Sequence, residues 1–281
     1  MNKKLVAAAL FSSFLLSGCT DSSSKDSAAD STATEDTAAQ IDTTENETST
    51  EDSASNETEE ETISYQYEVD PASQRIVPLE EGLNEKVALL TYDDAPDKHA
   101  VEIAKVLEEH DAPAIFFVNG MYLTTDQGKK DLKTLHDMGF EIGNHTQTHA
   151  NLQSLSEQEQ HDEIMQTSDL IEEITGERPR FFRAPFGQNT DYSKQLAKEE
   201  GMALMNWTFG YDWEKEYQSA DALADIMLDN PYLNDGANLL MHDRSWTLEA
   251  SPRIIEGLKD KGYELLDSRL IQSPDRKEDS E

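Results

Sequence analysis

Three of the seven histidines stand in polar stretches behind short apolar runs, close to an acidic residue or to one another. His145 and His149 are four residues apart, a spacing that sets two imidazoles on one face of a helical turn. Two imidazoles and a carboxylate can hold a divalent cation from one side and leave its other positions open to water and substrate. Alone the spacing is weak, because two structural histidines satisfy it equally well. The pair Asp93-Asp94, at the end of the apolar run 87–92, supplies the missing carboxylate and a second one. Side chains alternate along a strand, so the two aspartates are expected to point in different directions, one to a metal and one free as a base. The competing assignment of Asp94 is a helix N-cap, a role that Asp97 fits better. Arg183 follows Phe181-Phe182, Asp212-Trp213 follows the run 203–207, and His242-Asp243 follows 237–241. His99, His110, His136 and His161 fall in helical stretches and are expected at the surface.

Five such endings need elements that bring them together. The runs 87–92, 114–118, 140–142, 181–182, 203–207, 237–241 and 263–266 read as strands, short and apolar as in a sheet covered on both faces. Helical spacing fills 99–110, 127–138 and 156–175, and helices are also expected near 191–200, 219–229 and 249–261. Ser156 with Glu159 forms a capping box, and Gly139 and Gly176 end their helices. Strands alternating with helices imply a parallel sheet with helices outside, closed or nearly closed as a β/α barrel of about seven strands. An open doubly wound sheet is the alternative. In a barrel the chemistry collects at the carboxyl ends of the strands, where all five polar endings fall. No Gly-rich phosphate loop follows any strand, which disfavours a nucleotide site.

The formal charge of −35 excludes nucleic acid and an anionic membrane surface as partners, since both are held by clustered Lys and Arg. Hydrophobic residues make up 36%, low enough that part of the chain is expected to lie outside a core. Lys3 and Lys4 precede a run of about a dozen mostly apolar residues, short for a bilayer span. That run ends in Leu16-Ser17-Gly18-Cys19, which resembles a bacterial lipoprotein box. The resemblance implies a signal peptide over 1–18 and a lipid anchor at Cys19, the only cysteine. Residues 19–63 are rich in Ser, Thr, Asp and Glu, with Lys25 the one base among fourteen acids. They cannot bury enough apolar surface to offset their ordering entropy and read as a disordered, self-repelling acidic tether. A catalytic domain is expected over 64–271 and a charged tail over 272–281.

Taken in order, Thr91-Tyr92-Asp93-Asp94, His145-Thr146-Gln147-Thr148-His149, Arg183-Ala184-Pro185-Phe186, Asp212-Trp213 and Leu239-Leu240-Met241-His242-Asp243 resemble the five motifs of the polysaccharide deacetylase family, the NodB homology domain of carbohydrate esterase family 4. The resemblance covers about 84–270 and implies a distorted (β/α) barrel. It further implies that Asp94, His145 and His149 bind a divalent metal, zinc or else cobalt or another ion. Asp93 is then the general base, His242 the general acid, Arg183 the partner that tunes Asp93, and Asp212 the residue that steadies Arg183. The Phe186 N–H would help to bind an oxyanion. Trp213 and Leu240 are walls for the acetyl methyl or a sugar face, or else core residues. Two departures stand out. Ala95 replaces the usual Gly of the first motif and puts a methyl near the site, and Phe209 stands where the fourth motif often has a second acid.

The resulting expectation is a monomeric, extracytoplasmic, lipid-anchored hydrolase that removes N-acetyl groups from peptidoglycan, a chitin-like polymer or poly-N-acetylglucosamine. The alternatives are an inactive wall-binding lipoprotein on the same fold and a hydrolase of another linear amide.

Overall fold

The computed structural model describes residues 64–277. The segments expected as a signal peptide and an acidic tether, with Cys19, lie outside the described residues, as do the last four residues.

A short antiparallel hairpin, β1 (Tyr67–Val69) and β2 (Ile76–Pro78), comes first and was not expected, since three-residue strands carry no readable alternation. The seven expected strands follow as β3 (Val87–Ala95), β4 (Ala114–Val118), β5 (Glu141–Asn144), β6 (Phe181–Phe182), β7 (Ala203–Leu204), β8 (Ala237–His242) and β9 (Glu264–Leu265). All are parallel, in the order β7-β6-β5-β4-β3-β8, with β9 pairing only the first two residues of β3. Helices α1 (Ala100–Glu109), α2 (Asp126–Asp137), α3 (Glu157–Thr175), α4 (Asp191–Glu199), α5 (Ala220–Leu228) and α6 (Ser245–Asp260) alternate with them. The Ser156–Glu159 capping box forms, and Gly176 ends α3 in the left-handed conformation that favours glycine.

The sheet curls, and the chain after β7 all but closes it. Met205 N–H still bonds Phe182 O of β6, but three residues on Thr208 N–H bonds Asn238 O and Phe209 O accepts from Leu240 N–H of β8. One segment therefore belongs to both edges, and the expected strand 203–207 is cut to two residues because it must cross the gap. The ring is a distorted barrel joined there by two backbone hydrogen bonds in place of a full ladder.

Alternation along β3 sorts the core. Val87 and Leu89 point inward, packing on Ile115, Phe117, Phe181 and Met205, and the hairpin residues Tyr67 and Ile76 join this cluster. Ala88, Leu90 and Tyr92 point outward beneath Ile103, Leu107, Ile254 and Leu258 of α1 and α6. Both faces are apolar because helices cover the outside. Thr91 and Asp93 continue the inward series, so the barrel interior turns polar only at its carboxyl rim. Within the stretch expected as a tail, Gln272 N–H bonds Tyr67 O and Lys277 N–H bonds Glu199 O.

Candidate active site

A cavity of about 360 Å³ opens at the carboxyl rim, lined by Asp93, Asp94, His145, His149, Phe186, Trp207, Asp212, Trp213, Leu240, His242 and Arg244. Of the expected site residues in the described chain, all but Arg183 line it. Arg183 lies just beneath, fully buried.

Arg183 spends all five of its N–H donors. Nη1 donates to Asp93 Oδ1 at 2.6 Å and Thr91 Oγ1 at 2.8 Å, Nη2 to Asn206 O at 2.8 Å and Asn238 Oδ1 at 3.5 Å, and Nε to Met205 O at 3.2 Å. The guanidinium also stacks 4.1 Å from the Phe117 ring centre. Burial lowers the Arg183 pKa from its ordinary value, and the Asp93 carboxylate opposes that fall. A buried charge with every donor met fixes its partner firmly. Asp93 is therefore pinned through Oδ1, and Oδ2 is the oxygen left beside His145 Nε2, at 3.5 Å.

The two aspartates do not diverge as strict alternation required. The β3–β4 register shifts between Tyr92 and Ala95, and Asp94 has a φ of 62°. This left-handed residue turns the Asp94 side chain back to the rim, so both carboxylates line one cavity. Nor do His145 and His149 lie on a helical turn. The stretch between them bends through Thr146 (φ 69°) and His149 (φ 58°). Glu163 of α3 holds this loop, its carboxylate accepting from Thr148 N–H at 2.8 Å and Thr148 Oγ1 at 2.6 Å.

The ligand atoms of Asp94, His145 and His149 all lie within 4.8 Å of one another. His145 Nδ1 donates to Arg183 O at 2.7 Å, which leaves Nε2 with its lone pair toward the cluster. Burial lowers the His145 pKa against the pull of Asp93, so the ring stays neutral, as a metal ligand must be. His149 Nε2 is 3.6 Å from Asp94 Oδ1, and its ring packs on the edge of Phe186. One carboxylate and two imidazoles on one wall of a cavity fit a divalent cation.

Asp212 does not steady Arg183. Its carboxylate accepts from His242 Nδ1 at 2.7 Å, His242 N–H at 2.6 Å and Thr247 Oγ1 at 2.7 Å. Arg183 is steadied instead by Asn206, Asn238 and Met205. Burial alone would lower the His242 pKa, but the Asp212 carboxylate outweighs it and Asp93 and Asp94 add to the effect, so the net shift is upward. His242 thus keeps its proton to higher pH, with Nε2 the nitrogen left for the cavity.

Asp97 is not the cap of α1. The N-cap position is held by His99, and the turn leading into it is fixed from the end of the adjacent strand β8 by Asp243, whose carboxylate accepts from the N–H groups of Asp97 (2.8 Å), Lys98 (2.9 Å) and His99 (2.5 Å). Ala95 and Phe209 are buried in the outer core, away from the cavity, so neither narrows it. Trp213 and Phe186 stand exposed at the mouth, 43% and 59%, while Leu240 is buried in the wall. Phe186 has a φ of 59° inside the single turn Pro185–Gly187. Sequence reasoning missed Trp207 and Arg244. Both were within reach, since Trp207 ends the β7 run and Arg244 follows the His242-Asp243 ending.

The polysaccharide deacetylase family model matches residues 80–205. A peptidoglycan-N-acetylglucosamine deacetylase of Bacillus cereus is 32% identical over 191 residues, covering 65% of this chain and 69% of that one. The solved structure of the T48 deacetylase with substrate has a TM-score of 0.59 and 28% identity, covering 66% of this chain and 90% of that one. A carbohydrate esterase family 4 pseudoenzyme from Bacillus anthracis has a TM-score of 0.59 and 31% identity, covering 64% and 63%. With its five strand-end motifs gathered at one cavity, the chain belongs to the polysaccharide deacetylase family.

Proposed function

We propose that the protein is a metal-dependent de-N-acetylase of an extracellular N-acetylated polysaccharide, with peptidoglycan the first substrate to test. The observation that carries this reading is one cavity holding a cation-binding triad, Asp93 pinned by a buried arginine, and His242 pinned by a buried carboxylate. The relationship to a peptidoglycan deacetylase supports the choice of polymer.

A divalent cation, zinc or a substitute such as cobalt, would be held by Asp94, His145 and His149 and would polarise the acetyl carbonyl and acidify a water. Asp93 Oδ2 accepts the proton that the attacking water gives up as its oxygen bonds to the acetyl carbon. His242 Nε2–H then protonates the sugar nitrogen as the carbon–nitrogen bond breaks, giving acetate and a free amine. An amide needs this acid, because an unprotonated nitrogen is a poor leaving group. Positioned proton transfer of this kind contributes roughly 10²–10⁴-fold. The Phe186 N–H is the proposed oxyanion donor, worth about 10²–10³-fold. Leu240 and Trp213 suit the acetyl methyl, and the exposed Phe186 and Trp213 rings suit the apolar face of a pyranose.

An extracytoplasmic site and a lipid anchor at Cys19 belong to the same proposal, since both bring the domain to an insoluble wall polymer. A second reading, an inactive wall-binding member, draws on the pseudoenzyme among its structural neighbours. The complete base, triad and acid of this chain favour the enzyme. The test is acetate release and free amines from peptidoglycan, chitin oligomers and poly-N-acetylglucosamine, with zinc or cobalt supplied. Turnover on at least one is expected, and none from any of them would leave only the binder.

A further inference from the structure

Arg244 has no role in the reaction just described, yet its guanidinium reaches the catalytic cavity. It occupies the N-cap of α6, and its side chain is 33% exposed. Nη2 donates to Asp94 Oδ2 at 2.8 Å. Nη1 donates to Asp243 O at 3.0 Å and lies 3.8 Å from Asp97 Oδ2. Among the described residues, Arg244 is the one hydrogen-bond donor to the Asp94 carboxylate. The two oxygens of Asp94 are thereby divided, Oδ2 to the guanidinium and Oδ1 to the side of His149.

We propose that Arg244 is a positioning residue that restricts Asp94 to one-oxygen ligation, keeping positions on the cation open for water and the acetyl oxygen at the expense of affinity. This rests on the metal reading of the triad. An unrestrained carboxylate can rotate and chelate a cation through both oxygens, filling a position that catalysis needs empty. A donor on Oδ2 blocks that rotation. Neutral outer partners of metal ligands usually strengthen binding. A guanidinium differs, because its positive charge withdraws electron density from the ligand and repels the dication. Anchoring and repulsion therefore act in opposite senses on affinity, and the repulsion is the larger because both charges are full.

The test uses the metal-free full-length protein and its Arg244→Ala and Arg244→Gln variants. Zinc affinity is measured by competition with a chelator, cobalt(II) coordination by visible absorption, and kcat by acetate release. Arg244→Ala is expected to bind zinc roughly tenfold more tightly or better. Its cobalt bands should weaken as coordination number rises, and kcat should fall about tenfold. Arg244→Gln, which keeps a donor without the charge, is expected to bind more tightly while retaining most of kcat. Tighter binding joined to slower turnover is a pairing that a merely structural role would not produce. Zinc binding by Arg244→Ala that is unchanged or weaker than wild type would overturn the proposal while leaving the metal reading intact. A wild-type protein that takes up no zinc or cobalt would overturn both.

Discussion

Replacing Asp212 by Asn should move the alkaline limb of activity to lower pH. Asp212 is fully buried, and its carboxylate lies 2.7 Å from His242 Nδ1. Two unit charges about 4 Å apart at an effective dielectric of about 20 interact by about 4 kcal/mol. At 1.36 kcal/mol per pH unit that is a ceiling of roughly three units. Burial of the imidazolium is common to both proteins and cancels, while the partial exposure of the ring weakens the pair, so the expected displacement is about one to three pH units. The sign follows from the role. His242 acts only when protonated, and its pKa is raised in the folded protein. Activity is therefore present below that raised pKa and is lost as pH rises through it. Removing the carboxylate brings the loss to lower pH.

A second effect accompanies the shift. The Asn amide can still accept from His242 N–H and Thr247 Oγ1 through its oxygen, so the local shape survives. Its NH2 then faces Nδ1 and favours the neutral tautomer protonated at Nε2, a feeble acid. The optimum rate should drop by about 10²–10⁴-fold. The assay is kcat/KM for acetate release across pH, with zinc uptake and thermal unfolding as controls. An alkaline limb that stays in place with turnover near wild type would show that His242 does not act through Asp212.

Asp93→Asn should abolish acetate release while zinc uptake persists; near-normal turnover would mean that the base is misassigned. The same change leaves the buried Arg183 without a carboxylate and should cost about 3–5 kcal/mol in denaturant unfolding. Stripping metal with a chelator should remove activity, and zinc or cobalt should restore it. Far-UV circular dichroism should stay unchanged, because the triad lies at the rim and both large apolar clusters form without it. Asp243→Ala removes the carboxylate that holds the turn before α1 from the end of β8 and should cost about 1–3 kcal/mol by thermal unfolding, with Asp243→Asn intermediate.

What the sequence made legible was the chemistry at strand ends, because each ending is announced by the apolar run before it. The inward series Val87, Leu89, Thr91, Asp93 needs nothing beyond alternation, and it points Asp93 into the barrel. Asp94 is where local rules stop. The alternation that places Asp93 would send its neighbour out among the helices. A register shift and a left-handed residue reverse that, and neither leaves a mark in residue type. His145 and His149 come together beside Asp94 as a helical turn would allow, but by way of two residues at positive φ. The spacing was informative although the geometry inferred from it was not. Asp212 was assigned to the wrong cation for a related reason. Its position depends on the segment that leaves β6 at Met205 and joins β8 at Thr208, a crossing of two backbone hydrogen bonds with no strand pattern to announce it. Once that crossing is in place, Asp212 faces the start of α6 and the ring of His242, while Arg183 is already saturated from below. The hold of Asp243 on the turn before α1 is non-local in the same way. The errors therefore share one cause: each concerns a polar side chain whose partner is fixed by how distant backbone segments meet, which the local periodicity of a chain does not encode.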